Sequence, residues 1–85
     1  MEIIFSPQSL EDLQFWKQSG NIKIQKRIHA LLESIIKNPF EGIGKPEALK
    51  HNWTGYWSRR INQEHRIIYK MDEGKIIVAQ MRSHY

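Results

Sequence analysis

The chain has 85 residues, no cysteine and a net charge of +4, with 40% hydrophobic and 26% charged residues. That length suits one domain, residues 1–85, whose single core buries roughly 60% of the unfolded surface, and the missing cysteine excludes a disulfide framework or a thiolate metal site. No stretch is long and apolar enough to span a bilayer, and Met1-Glu2-Ile3-Ile4-Phe5 lacks the basic start and apolar run of a signal peptide, so a cytoplasmic location is expected.

Residues 2–5 read as a short apolar strand. Ser6-Pro7 marks a helix start, with the hydroxyl as N-cap, proline at the first helical position, and Glu11 and Asp12 toward the positive end of the dipole. Leu10, Leu13 and Trp16, with Phe15 alongside, form the apolar stripe of this helix, and Gly20 ends it. A second helix is expected over residues 22–37, where Ile24, Ile28, Leu31 and Ile35, broadened by Leu32 and Ile36, repeat at helical spacing. Asn38-Pro39 stops it. Residues 39–55 read as a long connection with Gly42, Gly44 and Pro46 but also Lys45, Glu47, Lys50 and His51, and a connection of this length in a small domain is often functional. Three strands follow at 56–61, 65–71 and 75–81, the last two joined by a turn at Asp72-Glu73-Gly74. The order β-α-α-β-β-β predicts an α+β fold, with two helices packed on one face of a mainly antiparallel sheet.

Charge is unevenly placed along that order. From Met1 to Glu41 the positive and negative side chains cancel, so the whole excess lies between Gly42 and Tyr85. Such asymmetry points to a polyanion, nucleic acid before membrane, with a solvated basic surface as the alternative. Strand alternation suggests where the charge collects. If Trp57 with Ile61, Ile67 with Tyr69 and Met71, and Ile77 with Ala79 and Met81 face the helices, the open face carries Arg60, Arg66, Arg82 and His84. A one-residue slip in any strand would scatter that set. Guanidinium groups give paired donors to phosphate oxygens, and imidazole titrates near neutrality. Glu47 in the connection adds a carboxylate, and together these groups provide a base, a cation and an acid for cleaving RNA through its own 2′-hydroxyl. No metal-binding motif occurs, so neither metal nor cofactor is expected. Glu47 has a second reading as a loop carboxylate paired with Lys45 or Lys50, and Arg66 as an exposed strand arginine. Trp53, Tyr56 and Trp57 serve either as packing residues or as platforms for stacked bases. His29 and His65 read as structural or surface residues.

The blocks Gly44-Lys45-Pro46-Glu47, Leu49-Lys50-His51-Asn52, Trp57-Ser58-Arg59-Arg60-Ile61, Glu64-His65-Arg66 and the terminal Arg82-Ser83-His84-Tyr85 resemble the YoeB (Txe) family, a branch of the RelE/ParE toxin superfamily. The resemblance covers essentially the whole chain. It implies a RelE-like fold and a ribosome-dependent mRNA endonuclease that cuts in the A site and inhibits translation without a metal. It also implies a YefM-type antitoxin partner, homodimerisation, and operator binding only as a toxin–antitoxin complex, with no membrane association. By position, Glu47 is the implied general base, Arg66 the phosphate and transition-state stabiliser, His84 the general acid and Tyr85 a substrate-orienting residue. Lys50 and Arg60, with Arg59, Arg82 and Lys45, make up the implied RNA- and phosphate-binding set. Ala48, Trp53 and Ser83 depart from the family pattern. The alternative is a non-catalytic member of the superfamily, either a gyrase inhibitor or a nucleic-acid-binding regulator; the gyrase-directed branch generally lacks a set such as Glu47, Arg66 and His84.

Overall fold

Local signals in the sequence set most element boundaries. The computed structural model describes residues 1–82, so His84 and Tyr85 lie outside the described residues. The elements are β1 (Ile3–Phe5), α1 (Pro7–Ser19), α2 (Ile22–Lys37), β2 (Glu47–Ala48), β3 (Trp57–Arg60), β4 (Arg66–Asp72) and β5 (Lys75–Gln80), with a 3-10 turn at His51–Trp53. Ser6 Oγ caps α1 by accepting from Ser9 N–H at 3.1 Å, and Gly20, at φ 72°, turns the chain out of the helix. Asn21 caps α2 in the same way through Ile24 N–H at 3.1 Å. The β4–β5 turn places Glu73 and Gly74 at φ 50° and 75° between the paired Asp72 and Lys75, the backbone of a two-residue hairpin turn.

The sheet runs β1-β5-β4-β3-β2, with β1 parallel to β5 and the other pairs antiparallel. Both helices supply side chains to the core on one face, which confirms the expected α+β architecture. Ile24, Ile28, Leu31 and Ile35 of α2 pack with Trp16, Ile61, Ile67, Tyr69, Ile76, Val78 and Met81.

Three expectations are corrected. The inner side of α1 keeps only part of the expected stripe: Trp16 is in the core and Leu13 packs against it, but Leu10 and Phe15 are exposed, and Ser9 and Asp12 are buried instead. Hydrogen bonding explains the choice. Asp12 Oδ2 accepts from Met81 N–H at 2.9 Å, and Trp16 Nε1–H donates to the Met81 carbonyl at 2.9 Å. The frame of β5 also differs. Ile76 and Val78, not Ile77 and Ala79, face the core, because Tyr69 pairs with Val78 while Ile68 pairs with Gln80. Ala79 is therefore an extra residue, a bulge whose carbonyl accepts from Ser6 Oγ at 2.7 Å. Beyond it the phase is restored, and Met81 enters the core as expected. Finally, the 39–55 connection is partly structured: β2 pairs Glu47 with Ser58 and Ala48 with Trp57.

Candidate active site

The open face of β2, β3 and β4 carries a cleft. Residues paired directly across antiparallel strands point to the same side of the sheet, so the pairs Glu47–Ser58 and Arg60–Arg66 bring four side chains to one surface. With Lys45 and Pro46 they line a hollow of about 190 Å³. Sequence reasoning anticipated Glu47, Arg60 and Arg66 here; Ser58 went unassigned, although its alternation with Arg60 marks it.

The loop geometry that delivers Glu47 depends on close backbone approach. Gly44 lies at φ 83°, and a Cβ there would sit 2.6 Å from Leu31 Cδ2, so a larger residue would push the loop off the core. Its carbonyl accepts from Arg60 N–H at 2.7 Å, which ties the loop to β3 immediately before Lys45 and Glu47. On the opposite wall, Arg66 Nη1 donates to the carbonyls of Asn62 at 2.7 Å and Gln63 at 3.1 Å. That anchor fixes one corner of the guanidinium beside Arg60. Two guanidiniums directly opposite each other on adjacent strands repel, and a bound phosphate relieves the repulsion.

The expected phosphate-binding residues divide. Lys45, Arg60 and Arg66 line the cleft. Lys50 is exposed on an adjoining hollow of about 710 Å³ that shares Glu47 with the cleft. Arg59 is corrected: it is 0% exposed and points into the core side of the sheet. Its Nε donates to Tyr69 Oη at 3.0 Å, Nη1 to Ser34 Oγ at 2.7 Å and Ile43 O at 3.1 Å, and Nη2 to Asn38 O at 2.6 Å and Glu41 O at 3.0 Å. These contacts engage the full donor set of a guanidinium, so Arg59 has none to offer a phosphate. Arg82 is corrected as well. Its guanidinium stacks 3.5 Å from the Phe15 ring centroid, on the helix side of the sheet rather than in the cleft.

Burial raises the Tyr69 hydroxyl above its ordinary value of 10.0, with Arg59 opposing through its hydrogen bond and charge. His65 packs edge-on to Trp16 with centroids 4.9 Å apart, and His29 pairs with Glu33 at 2.8 Å, so both serve structure or surface as expected. Among the described residues no cluster of three or more His, Cys, Asp or Glu is arranged to hold a metal. No helix among them is long and apolar enough to cross a membrane.

Comparison with known proteins gives this geometry a context. Residues 5–85 match the model of a family described as YoeB-like toxin of bacterial type II toxin–antitoxin system. Toxin YoeB of Escherichia coli strain K12 is 42% identical over 85 residues, which covers 100% of both chains. A solved YoeB–YefM complex from Staphylococcus aureus superposes with a TM-score of 0.89 at 51% identity, covering 100% of this chain and 98% of that one. A YoeB dimer from the same organism gives 0.89 at 50% identity with the same coverage.

Proposed function

The chain belongs to the YoeB-like toxins of bacterial type II toxin–antitoxin systems, and from that premise we propose that it is a ribosome-dependent mRNA endonuclease acting in the A site. The observation that carries the reading is a carboxylate placed beside an arginine pair. A plain phosphate-binding surface gains nothing from Glu47, whose charge repels RNA; a site that must remove a proton from a 2′-hydroxyl requires such a group.

Glu47 takes the proton of the 2′-hydroxyl. The freed oxygen attacks the adjacent phosphorus, and the bond to the 5′-oxygen of the next nucleotide breaks. Arg66, held at Nη1 by the Asn62 and Gln63 carbonyls, and Arg60 opposite it stabilise the charge that builds on the phosphorane. His84 donates a proton to the leaving 5′-oxygen, and Tyr85 orients the substrate. The products are a 2′,3′-cyclic phosphate and a 5′-hydroxyl. Arginine supplies the cation, so the step needs no metal. Lys45 and Lys50 hold flanking phosphates.

In the cell the protein is cytoplasmic and is restrained by a YefM-type antitoxin, as the solved Staphylococcus aureus complex suggests. The dimer solved for that organism supports self-association as well. Operator DNA is bound only by the toxin–antitoxin complex. The test is primer extension on a defined mRNA in a purified translation system, with wild type, Glu47→Gln and His84→Ala compared. Discrete A-site cuts by wild type that vanish in both variants support the reading. Translation arrest with intact mRNA overturns it in favour of a blocking protein.

A further inference from the structure

The larger hollow beside the cleft shares Glu47 with the cleft and Lys50 with the flanking-phosphate contacts, and is lined further by His51, Asn52 and Trp53, which have no role in the chemistry above. Its wall is a self-closed turn. His51 takes φ 59°, Thr54 Oγ1 donates to the His51 carbonyl at 2.7 Å, and Tyr56 N–H donates to the Trp53 carbonyl at 2.9 Å. A non-glycine residue in the left-handed region carries a conformational cost, and this turn meets that cost to present an aromatic ring rather than bury it. Trp53 is only half-buried and stands outside the hydrophobic core, whereas Trp57 packs against that core. Tyr56 props the indole edge-on, with centroids 5.0 Å apart and planes at 88°, and Lys70 Nζ sits 5.1 Å from the Tyr56 ring centroid.

We propose that this hollow is a nucleobase subsite in which Trp53 stacks the base on the 5′ side of the cut. The inference rests on the nuclease reading. Glu47 belongs to both hollows, so a nucleotide whose 2′-hydroxyl meets that carboxylate directs its base into the larger one. A base needs a flat apolar surface and polar groups at its rim. The indole supplies the first, the Asn52 amide and His51 imidazole the second, and the Lys50 ammonium balances a neighbouring phosphate. A stacking platform reads the presence and size of a base more than its hydrogen-bond pattern, so it adds affinity with modest sequence preference.

The test measures cleavage of two messages on programmed ribosomes, one intact and one abasic at the nucleotide 5′ of the cut, by wild type, Trp53→Phe and Trp53→Ala. On the intact message Trp53→Ala loses roughly ten- to a hundredfold in kcat/KM, the range for one stacked base, and Trp53→Phe keeps most of the rate. Wild type loses a similar factor on the abasic message, and Trp53→Ala loses nothing further there, because both changes remove one interaction. Equal cutting of both messages by wild type overturns the subsite without recourse to any variant, so a Trp53→Ala protein that fails to fold still leaves the answer. Additive losses overturn it too. A Trp53→Ala protein that cuts like wild type but no longer holds a YefM-type antitoxin would assign the hollow to a protein partner and overturn the proposal. Absence of any cutting by wild type on the intact message is a different outcome: it removes the nuclease reading itself.

Discussion

Tyr69 stands between Arg59 and Pro39: its hydroxyl oxygen accepts from Arg59 Nε at 3.0 Å and donates to the Pro39 carbonyl at 2.6 Å. The pair closes a buried cage in which a guanidinium is satisfied by neutral oxygens of the 38–43 loop. A cation in the core is thus the post around which the chain turns from α2 toward β2. The catalytic carboxylate proposed for Glu47 sits four residues beyond the last carbonyl of that cage, at Ile43.

Adjacent arginines should therefore respond oppositely to truncation. Arg59→Ala removes a fully buried side chain together with its five hydrogen bonds and should cost about 3–5 kcal/mol, lowering Tm by about 12–40 °C. Arg59→Lys should not rescue, since an ammonium cannot reach oxygens spread around a planar fork. Arg60→Ala, at an exposed position, should leave stability within about 0.5 kcal/mol while cleavage falls. Thermal unfolding of the three variants checks this, and equal Tm losses at both positions would contradict the division of roles.

Tyr69 predicts an alkaline weakness. Its hydroxyl loses its proton less readily when folded than when unfolded, because burial disfavours the phenolate. At pH above the ordinary value of 10.0 the unfolded chain ionises first, so the folded state loses stability as pH rises from there toward the raised folded value. Below that window the contribution is fully present. Urea unfolding at about pH 9 and about pH 11 should show a drop for wild type that shrinks in Tyr69→Phe. That variant should itself be about 1–2 kcal/mol less stable at neutral pH, from loss of the bond to Pro39.

What the sequence made legible follows the physics of each signal. α2 was readable because Ile24, Ile28, Leu31 and Ile35 compete with no polar partner for the inward side. The inward face of α1 was readable only in part: Trp16 and Leu13 follow the stripe, but Asp12 turns inward to satisfy a backbone amide 69 positions away, a demand that no local window contains. The open face was found for Arg60 and Arg66 by alternation alone. Arg59 entered the phosphate-binding set only through the family resemblance; that it shares the inner side with Trp57 and Ile61 and is held by a cage of oxygens depends on a distant loop. The frame of β5 failed at Ala79 because a bulge is an interruption of period, and β2 is too short to show any period. His84 and Tyr85, the terminal pair of the motif resemblance, lie outside the described residues.

The Glu47 carboxylate should separate binding from chemistry. Glu47→Gln preserves shape at an exposed strand position, so stability should hold, and cleavage should fall about a hundred- to ten-thousandfold. Binding to mRNA-programmed ribosomes should be no weaker than wild type, because a charge that repels phosphate is gone. Arg66→Lys should lose both cleavage and binding, since it forfeits the planar fork and the anchor on Asn62 and Gln63. Measured association and cleavage rates for both variants decide the matter: a Glu47→Gln protein that cuts at the wild-type rate would remove Glu47 as the base.

Asp12 and Trp16, one helical turn apart on α1, hold the amide and the carbonyl of Met81. Met81 precedes His84, the proposed acid, by three residues in the sequence. Asp12→Ala leaves a buried amide without an acceptor and should cost about 1–3 kcal/mol, with faster hydrogen exchange at Met81. Asp12→Asn keeps an acceptor oxygen and should retain most of the protection. If the clamp positions the acid, Asp12→Ala lowers kcat by more than its folded fraction accounts for and leaves KM nearly unchanged, because the phosphate contacts of Arg60 and Arg66 are untouched. An activity loss that merely tracks the unfolded population would reduce the clamp to a packing contact.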